Sequence, residues 1–275
     1  MARVGDVAGG ALASSGASAP VARARVGSLL AVARLAGVLL VALQGALTCA
    51  IAFPFLEESD RMRRVGTWSR RMMRVLGIRL EASGEAHEGP ILVLANHVSW
   101  LDILAINAFA PTRFVSKADV RRWPLLGFMV ARAGTLFIER ERRRDALRVV
   151  HQVAEALRNG ARVAVFPEGT TGEGPQLLPF HANLLQAAIA TGAAVQPVAL
   201  RFSDAGAAFS AAPLYLGDTS LVESVWEVAT ARALSAHVSA LPAISADGAE
   251  RRALAASVHE QLQAVLDAVP RASAR

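Results

Sequence analysis

The sequence is poor in the residues that build disulfides and metal sites. Among 275 residues there is one cysteine, Cys49, so no disulfide can form within the chain and a cysteine-based zinc site is excluded. Histidine, aspartate and glutamate do not cluster with the spacing of metal ligands, so no metal site is predicted. A zinc knuckle, a recognition-helix pattern and an aromatic–basic RNA motif are also lacking, which argues against nucleic acid as a partner.

Lysine is nearly absent as well. Lys117 is the only one, and arginine supplies the rest of the positive charge behind a net charge of +6. The apolar residues make up 53% of the chain and the mean hydropathy is +0.36, above the composition of ordinary soluble domains. A basic, apolar chain without nucleic-acid motifs is expected to bind an anionic membrane surface.

The N-terminal part of the chain predicts a membrane anchor. Residues 1–26 are rich in Ala, Gly and Ser, a composition typical of a disordered leader. The segment Leu35–Leu56 then has 22 residues without a charge, long enough to span a membrane. Gln44, Gly45 and Pro54 interrupt it, which leaves open a spanning helix, a bent helix or a hairpin within one leaflet. A cleaved signal peptide is the alternative, but the arginine-rich segment that follows favours an uncleaved anchor with that flank in the cytoplasm.

A second helix is predicted over Asp60–Leu76. Its apolar residues recur on one helical face, and most of the intervening positions are arginine. This pattern is typical of an interfacial helix whose arginines lie among lipid phosphates. A basic helix packed on the rest of the protein is the alternative. The residues of the apolar face are Met62, Val65, Trp68, Met72, Val75 and Leu76.

From Gly89 onward the pattern predicts an α/β fold with a mainly parallel sheet flanked by helices. Short apolar runs bounded by turn residues alternate with helical patterns, which is typical of strands buried on both faces. Five strands are predicted, at Ile91–Ala95, Thr112–Ser116, Thr135–Ile138, Arg162–Phe166 and Ala194–Leu200. Helices are predicted around residues 146–157, which end at Asn159-Gly160, and at His181–Ala190, ended by Gly192. The tail predicts a helix at Ser220–Ala233, a strand near His237–Leu241 and a helix from Ala249 to about Val269.

The first group of chemical interest is Asn96-His97-Val98-Ser99-Trp100-Leu101-Asp102, directly after a predicted strand. On a regular helix His97 and Asp102 would point about 140° apart, because each residue turns about 100°. If His97 lies on the turn and Asp102 in the first helical turn, the carboxylate can reach the imidazole. A neutral histidine held in this way is a general base near neutral pH. A merely structural pair is the alternative.

Two further segments place polar residues at strand ends. Phe166-Pro167-Glu168-Gly169-Thr170-Thr171 offers a carboxylate, a glycine that permits close approach of a ligand, and two hydroxyls. Gly134-Thr135-Leu136-Phe137-Ile138-Glu139-Arg140 ends on an arginine suited to bidentate binding of phosphate. Alone, each segment could be turn chemistry or a salt bridge.

Taken together and in this order, the segments resemble the 1-acyl-glycerol-3-phosphate acyltransferase family. The resemblance spans about residues 90–200 and includes Asn96–Asp102, Gly134–Arg140, Phe166–Thr170 and Val195–Val198. It implies that His97 deprotonates the acceptor hydroxyl, that Asp102 orients His97, and that the acyl group moves directly from a thioester without an acyl-enzyme. It also implies a substrate-binding site formed by seven residues, namely Asn96, Lys117, Arg140, Glu168, Gly169, Thr170 and Thr171.

Three departures from the family pattern bear on the acceptor. Thr171 stands where the family usually has arginine, His181 where lysine is frequent, and Glu139 where aspartate is usual. Fewer cations near the headgroup weaken the case for a phosphate monoester, and some relatives that acylate lyso-ornithine lipid look similar here. The expected acceptor is 1-acyl-glycerol-3-phosphate, giving phosphatidic acid, with lyso-ornithine lipid or another lysolipid as the alternative.

The resemblance completes the expected organisation. Residues 1–26 are predicted to be a leader, 27–80 a membrane anchor with a basic interfacial helix, and 81–275 the acyltransferase catalytic domain. The expected donor is acyl-CoA or acyl-carrier protein, with no cofactor, and the expected location is the bacterial inner membrane with the catalytic domain facing the cytoplasm. A hydrolase that uses His97 and Asp102 to activate water is a second class of enzyme, and a non-enzymatic lipid-binding membrane protein is a third reading.

Overall fold

The computed structural model describes residues 24–138 and 143–270, and within them the side chains of 143–146 are not described. A seven-stranded sheet forms the centre, with the strand order β1-β7-β6-β2-β5-β3-β4. The five strands from β6 to β4 run parallel to one another, whereas β7 is antiparallel to β6 and parallel to β1. The strands are β1 (Arg79–Ser83), β2 (Ile91–Ala95), β3 (Arg113–Lys117), β4 (Leu136–Ile138), β5 (Arg162–Val165), β6 (Ala194–Ser203) and β7 (Ser235–Ala240).

Helices cover both faces of the sheet, as is required when parallel strands are buried on both sides. On one face α1, α2, α3 and α7 contribute to the core, and on the other face α5, α6 and α8 do so. The helices are α1 (Ser28–Ile51), α2 (Glu58–Val75), α3 (Leu101–Phe109), α4 (Leu126–Arg132), α5 (Arg143–Arg158), α6 (Leu185–Thr191), α7 (Leu221–Thr230) and α8 (Arg251–Asp267). The predicted α/β class with a mainly parallel sheet is confirmed.

The predicted and observed bounds of the strands and helices agree best where the apolar runs are continuous. β2 has the predicted bounds, and all five of its residues are buried. The predicted helix at His181–Ala190 differs, because the chain first forms a 3-10 turn at Ala182–Leu184 and α6 follows. Gly192 ends α6 in the left-handed conformation with φ 66°, as expected for a glycine at this position.

The strand β1 has no counterpart among the predictions. It begins at Arg79, two residues before the predicted start of the catalytic domain, and its residues are mostly exposed. Because four of its five residues are exposed and two of them are charged, β1 lacks the apolar run or alternation that would reveal a strand.

The apolar N-terminal segment is one continuous helix, α1, which begins before the predicted apolar run and ends at Ile51. Gln44 and Gly45 do not interrupt it. The Gln44 amide hydrogen-bonds Thr48 one turn later, and Gly45 permits close approach of Trp68. Pro54 does end the helical path, in a 3-10 turn at Phe53–Phe55. Of the three residues expected to interrupt the run, only Pro54 lies where the helix has ended.

Helix α1 is long and apolar enough to cross a membrane, and 22% of its most apolar window is buried within the protein. One side of it packs on the catalytic domain. Arg34 donates hydrogen bonds to the carbonyls of Ala229 and Ala231 at the end of α7, and the Trp68 indole on α2 donates to the carbonyl of Val41. The other side carries exposed apolar residues, namely Leu29, Leu30, Val32, Leu39, Leu40, Leu43, Leu47 and Ile51.

Helix α2 packs its apolar face on the protein. Met72 and Met73 are buried in the core shared with α3, and Gly66 lies against Pro111. The arginines beyond the first turn are exposed, and Arg70 also donates a hydrogen bond to the carbonyl of Ala108. The apolar face is therefore taken up by the domain, as the alternative prediction held, and only the arginine face is left for lipid.

The predicted leader overlaps the described residues at 24–26. The backbone N–H of Val26 donates to the carbonyl of Thr230, and the Arg25 guanidinium lies 2.8 Å from the Glu227 carboxylate. Arg25 and Val26 are therefore bound to α7, and residues 1–23 of the predicted leader lie outside the described residues.

Candidate active site

His97 and Asp102 meet at the turn between β2 and α3. The Nδ1 atom of His97 lies 2.8 Å from Oδ2 of Asp102. Asp102 is in the first turn of α3 and completely buried, whereas the His97 side chain is 20% exposed. The predicted contact between the two side chains is therefore present, because the turn places them on the same side of the chain.

The Asp102 carboxylate also fixes the turn itself. Its Oδ2 atom accepts the backbone N–H of Val98 at 2.7 Å and of Ser99 at 2.9 Å. An ionised acceptor with several N–H donors is strongly held. If Nδ1 of His97 carries the proton donated to Asp102, the Nε2 atom is unprotonated and can accept a proton.

The His97 ring is also oriented by an aromatic contact. It stacks on Phe166 with ring centroids 4.0 Å apart and planes 8° from parallel. Phe166 in turn contacts Phe114 at 5.9 Å between centroids. The imidazole is thus held at its Nδ1 edge by Asp102 and on one face by Phe166, and His97 lines a cavity.

Glu168 is buried and bound to backbone. Its Oε1 atom accepts the N–H of His97 at 2.7 Å, and its Oε2 atom accepts the N–H of Leu178 at 2.9 Å. Desolvation raises the pKa of the Glu168 carboxyl, and these two backbone donors oppose the rise. Gly172 donates its N–H to the carbonyl of His97 at 2.7 Å. Segment 168–172 therefore binds both backbone groups of His97.

Two residues predicted to bind substrate have structural contacts instead. Glu168 does not line the cavity, because both of its oxygens are bound by backbone. Asn96 is 1% exposed, and its amide forms two hydrogen bonds with the backbone of Leu200, at 2.9 and 2.7 Å. Since β2 and β6 are neighbours, Asn96 connects the two strands and is not available to a substrate.

Four other predicted residues do line the cavity, namely Lys117, Gly169, Thr170 and Thr171. Lys117 is exposed at the end of β3, and Thr170 is exposed after β5. The Thr171 hydroxyl donates a hydrogen bond to the carbonyl of Tyr215, so it is occupied by the protein. Arg140 lies outside the described residues.

The cavity has a volume of about 1660 Å³. His97 and the residues after β5 lie on one side of it. Apolar side chains from four helices form the other side, which we call the apolar wall: Val38 and Cys49 of α1, Trp68 and Met72 of α2, Leu104 of α3, and Met129 of α4. Four of these six residues lie in the segments predicted to be a membrane anchor and an interfacial helix. The apolar face of α2 was the only signal that could have revealed it.

Basic side chains from a different part of the fold also line the cavity. Arg63, Arg64 and Arg71 of α2 do so together with Lys117. The first three were predicted to face lipid phosphates, and their position also allows contact with an anionic group at the cavity entrance. Among the described residues, no three of His, Cys, Asp or Glu lie close enough together to bind a metal ion.

Comparison with known proteins agrees with this architecture. The family model described as Acyltransferase matches residues 77–201. The chain is 38% identical over 206 residues to lyso-ornithine lipid O-acyltransferase of Pseudomonas aeruginosa, covering 75% of this chain and 79% of that one. It is 40% identical over 210 residues to 1-acyl-sn-glycerol-3-phosphate acyltransferase of Neisseria meningitidis, covering 75% and 82% of the two chains.

A solved structure shares the fold. The crystal structure of the 1-acyl-sn-glycerophosphate acyltransferase PlsC from Thermotoga maritima superposes with a TM-score of 0.62, covering 85% of this chain and 96% of that one at 20% identity. The fold, the family match and the identity to curated relatives place the chain in one class, and it belongs to the Acyltransferase family. The protein is an O-acyltransferase, as predicted.

Proposed function

We propose that this protein transfers a fatty acyl group from acyl-CoA or acyl-carrier protein to the free hydroxyl of 1-acyl-glycerol-3-phosphate, forming phosphatidic acid. The observation that carries the proposal is the oriented His97–Asp102 pair, which faces a cavity of about 1660 Å³ with an apolar wall. A base beside a large apolar cavity suits a lipid acceptor, because the acyl chain gains from removal of its surface from water.

The chemistry requires one base and no acyl-enzyme. Nε2 of His97 accepts the proton of the acceptor hydroxyl while Asp102 stabilises the resulting imidazolium. The oxygen attacks the thioester carbonyl, forming a C–O bond and a tetrahedral oxyanion. The C–S bond then breaks, and the thiolate leaves with the proton that His97 carried. The products are an ester and a free thiol, and no cofactor takes part.

The headgroup is proposed to lie near Lys117, Thr170 and Gly169, with Arg140 as a further cation. Lys117 supplies a positive charge at the cavity, and the exposed Thr170 supplies a hydroxyl that can donate a hydrogen bond to phosphate. Gly169 has φ 73°, a backbone conformation that glycine adopts without strain, and its missing side chain leaves room for the headgroup.

Lyso-ornithine lipid is the second candidate acceptor. Thr171 replaces the arginine usual in the family, and its hydroxyl is bound to Tyr215, so this position supplies neither charge nor a free donor. His181, where lysine is frequent, lines the cavity without a permanent charge. The relative from Pseudomonas aeruginosa bears the name of this activity. A smaller positive charge suits a headgroup that is not a phosphate monoester.

The proposed location is the inner membrane of a bacterium, with the catalytic domain facing the cytoplasm. The exposed apolar side of α1 and the outward arginines of α2 are on adjacent helices, which suits insertion into lipid beside anionic phosphates. Since the opposite side of α1 is bound to α7 and α2, the domain would lie against the bilayer.

The test uses purified full-length protein in lipid vesicles with a labelled acyl thioester. Lysophosphatidate and lyso-ornithine lipid are supplied separately and together, with the His97→Ala variant in parallel. Acylation of lysophosphatidate that is lost in the variant supports the proposal. Acylation of the ornithine lipid alone would mean that the acceptor is lyso-ornithine lipid and not 1-acyl-glycerol-3-phosphate. Thioester consumption without a lipid product would indicate a hydrolase, and lipid binding without any turnover would indicate a non-enzymatic protein.

A further inference from the structure

We propose that Gln263 of α8 is a positioning residue for His97, acting through the loop of residues 172–180 and through Glu168. The inference rests on the proposed function in so far as His97 is the base. Gln263 lies outside residues 77–201, which the family model matches, and it does not line the cavity. Its effect on the reaction must therefore pass through other residues.

Both ends of the Gln263 amide bind the loop. Its Oε1 atom accepts the N–H of Leu177 at 2.9 Å, and its Nε2 atom donates to the carbonyl of Pro175 at 3.1 Å. The same Nε2 atom donates to Asp267 one turn later on α8. Only a side chain with a donor and an acceptor at this distance from the helix can make both contacts.

The loop has few other hydrogen bonds. Between described residues, no backbone–backbone hydrogen bond involves residues 173–180. The segment is bordered by the bond from Gly172 to the carbonyl of His97 and by the bond from His181 to the carbonyl of Pro167. Within it, side chains bind the backbone: Gln263 at Pro175 and Leu177, and Glu168 at Leu178. Apolar contacts add to these: Leu177 and Phe180 pack against the core, and the Phe180 ring lies 4.8 Å from the His259 ring of α8 between centroids.

The next contacts lead to the base. Leu178, which follows the residue bound by Gln263, donates its N–H to Oε2 of Glu168, and Oε1 of Glu168 accepts the N–H of His97. Gly172 at the start of the loop binds the carbonyl of His97. A shift of the loop therefore alters both backbone hydrogen bonds of His97, and with them the direction of its ring.

The same contacts couple the loop to the charge of Glu168. Burial already raises the pKa of this carboxyl, and the donors Leu178 and His97 oppose the rise. The charged groups that act on it are His97, which lowers its pKa, and Asp102, which raises it. Loss of the Leu178 donor would raise the pKa of Glu168 further, so the carboxyl would become neutral at a higher pH.

The experiment compares Gln263→Met with Gln261→Met in full-length protein. Gln261 is on the same helix, and among the described residues its amide binds only Ser257 of that helix, so it is a matched control. Hydrogen exchange is measured by mass spectrometry on peptides that contain His97 and residues 172–180. This measurement does not depend on acyl transfer, so it distinguishes failure of this inference from failure of the proposed function.

In Gln263→Met we expect exchange in both peptides to become at least about tenfold faster, which corresponds to the loss of one or two ordinary hydrogen bonds. We also expect kcat to fall about tenfold with KM changed less than about twofold, and the acidic limb of the pH–rate profile to move to higher pH. In Gln261→Met the exchange rates, kcat, KM and the pH–rate profile should stay as in the wild type. Gln263→Glu keeps the acceptor for Leu177 and should give intermediate values.

Two results would overturn the inference. The first is unchanged exchange of the His97 peptide in a folded Gln263→Met protein, whatever the activity. The second is a rise in KM at constant kcat and constant pH profile, which would make the loop a binding element. If Gln263→Met does not fold, Gln263→Glu decides the matter by the same two measurements, with wild-type exchange in the His97 peptide counting against the inference.

Discussion

The two sides of the cavity are built by different kinds of interaction. On the polar side, Asp102 and Glu168 bind five N–H donors between them, four of which belong to His97 and the two residues after it. On the apolar wall, the side chains of α1, α2 and α4 meet mainly through apolar contacts, with Trp68 donating one hydrogen bond to Val41.

This difference corresponds to two different requirements. Hydrogen bonds have preferred directions and lengths, so they fix the position of a base to a fraction of an ångström. Contacts between apolar side chains are non-directional, so a wall built from them can accept an acyl chain in several conformations. The polar side should therefore respond sharply to small chemical changes, and the apolar wall should respond to volume.

The largest effect is expected from the base. Without the imidazole the acceptor hydroxyl loses the base that Asp102 orients, so His97→Ala should lower kcat by about 10²–10⁴-fold. Steady-state kinetics with a labelled thioester measure this. The control is His151→Ala, since His151 is exposed on α5. If the activity of His97→Ala stays within tenfold of wild type, a residue other than His97 is the general base.

The next effect separates charge from geometry on the polar side. In Asp102→Asn the amide oxygen can keep the contacts of Oδ2 with Val98 and Ser99, while the negative charge beside His97 is lost. We expect kcat to fall about 10–10²-fold, since a hydrogen bond to a charged group contributes about 1.5–3 kcal/mol. Circular dichroism should show an intact fold. A wild-type kcat would mean that the charge of Asp102 does not act on His97.

The next effect, expected at Glu168, is on the pH dependence of stability. Because burial raises the pKa of this carboxyl above its ordinary value of 4.5, the folded protein binds the proton more tightly than the unfolded chain. The free energy of unfolding of the wild type, measured relative to that of Glu168→Gln, should therefore fall as the pH rises from 4.5 through the raised pKa.

The same variant should lose about tenfold in kcat at neutral pH, because the new amide turns N–H groups toward His97 or Leu178, which are donors themselves. Urea unfolding between pH 4 and pH 8 and steady-state kinetics measure the two effects. A relative stability that rises with pH over this range would contradict the assignment.

A smaller effect, on selectivity, is expected from the apolar wall. Ile103 of α3 lines the cavity, and Ile103→Trp reduces the space for an acyl chain. The preference between long and short acyl donors should shift toward short chains by about fivefold to tenfold, which corresponds to roughly 1 kcal/mol. Val222→Trp, at a position 80% exposed on α7, is the control. Equal loss for all chain lengths would mean that the wall does not bind the chain.

The smallest effect on activity is expected at the contact between α1 and α7. Arg34→Met removes two hydrogen bonds to the carbonyls of Ala229 and Ala231 and should lower the free energy of unfolding by about 2 kcal/mol. The change in kcat should stay below about threefold, because His97 is fixed by other residues. Thermal unfolding in detergent, with the exposed Arg158→Met as control, measures the loss. A tenfold fall in kcat would show that α1 also positions the polar side.

Sequence patterns predicted the features that depend on contacts between residues close together in the chain. The buried run Ile91–Ala95, the glycine that ends α6, and the contact of His97 with Asp102 all follow from residues within five positions of one another. The direction of Glu168 could not be predicted, because a carboxylate at a strand end can face a ligand or the backbone, and the distinction depends on the path of the loop to Leu178. Gln263 resembles any other polar residue of an amphipathic helix, so nothing in its own segment marks its contacts.

The two sides of α1 have a consequence for the kinetics. The same helix presents exposed Leu and Ile residues outward and contributes Val38 and Cys49 to the cavity. If α1 inserts into lipid as proposed, an acceptor that reaches His97 past this helix comes from the lipid surface, and its concentration there is its mole fraction among the lipids. At a fixed bulk amount of lysolipid, adding inert phospholipid should therefore slow turnover by surface dilution, whereas changing the volume of buffer should leave the rate per enzyme unaltered.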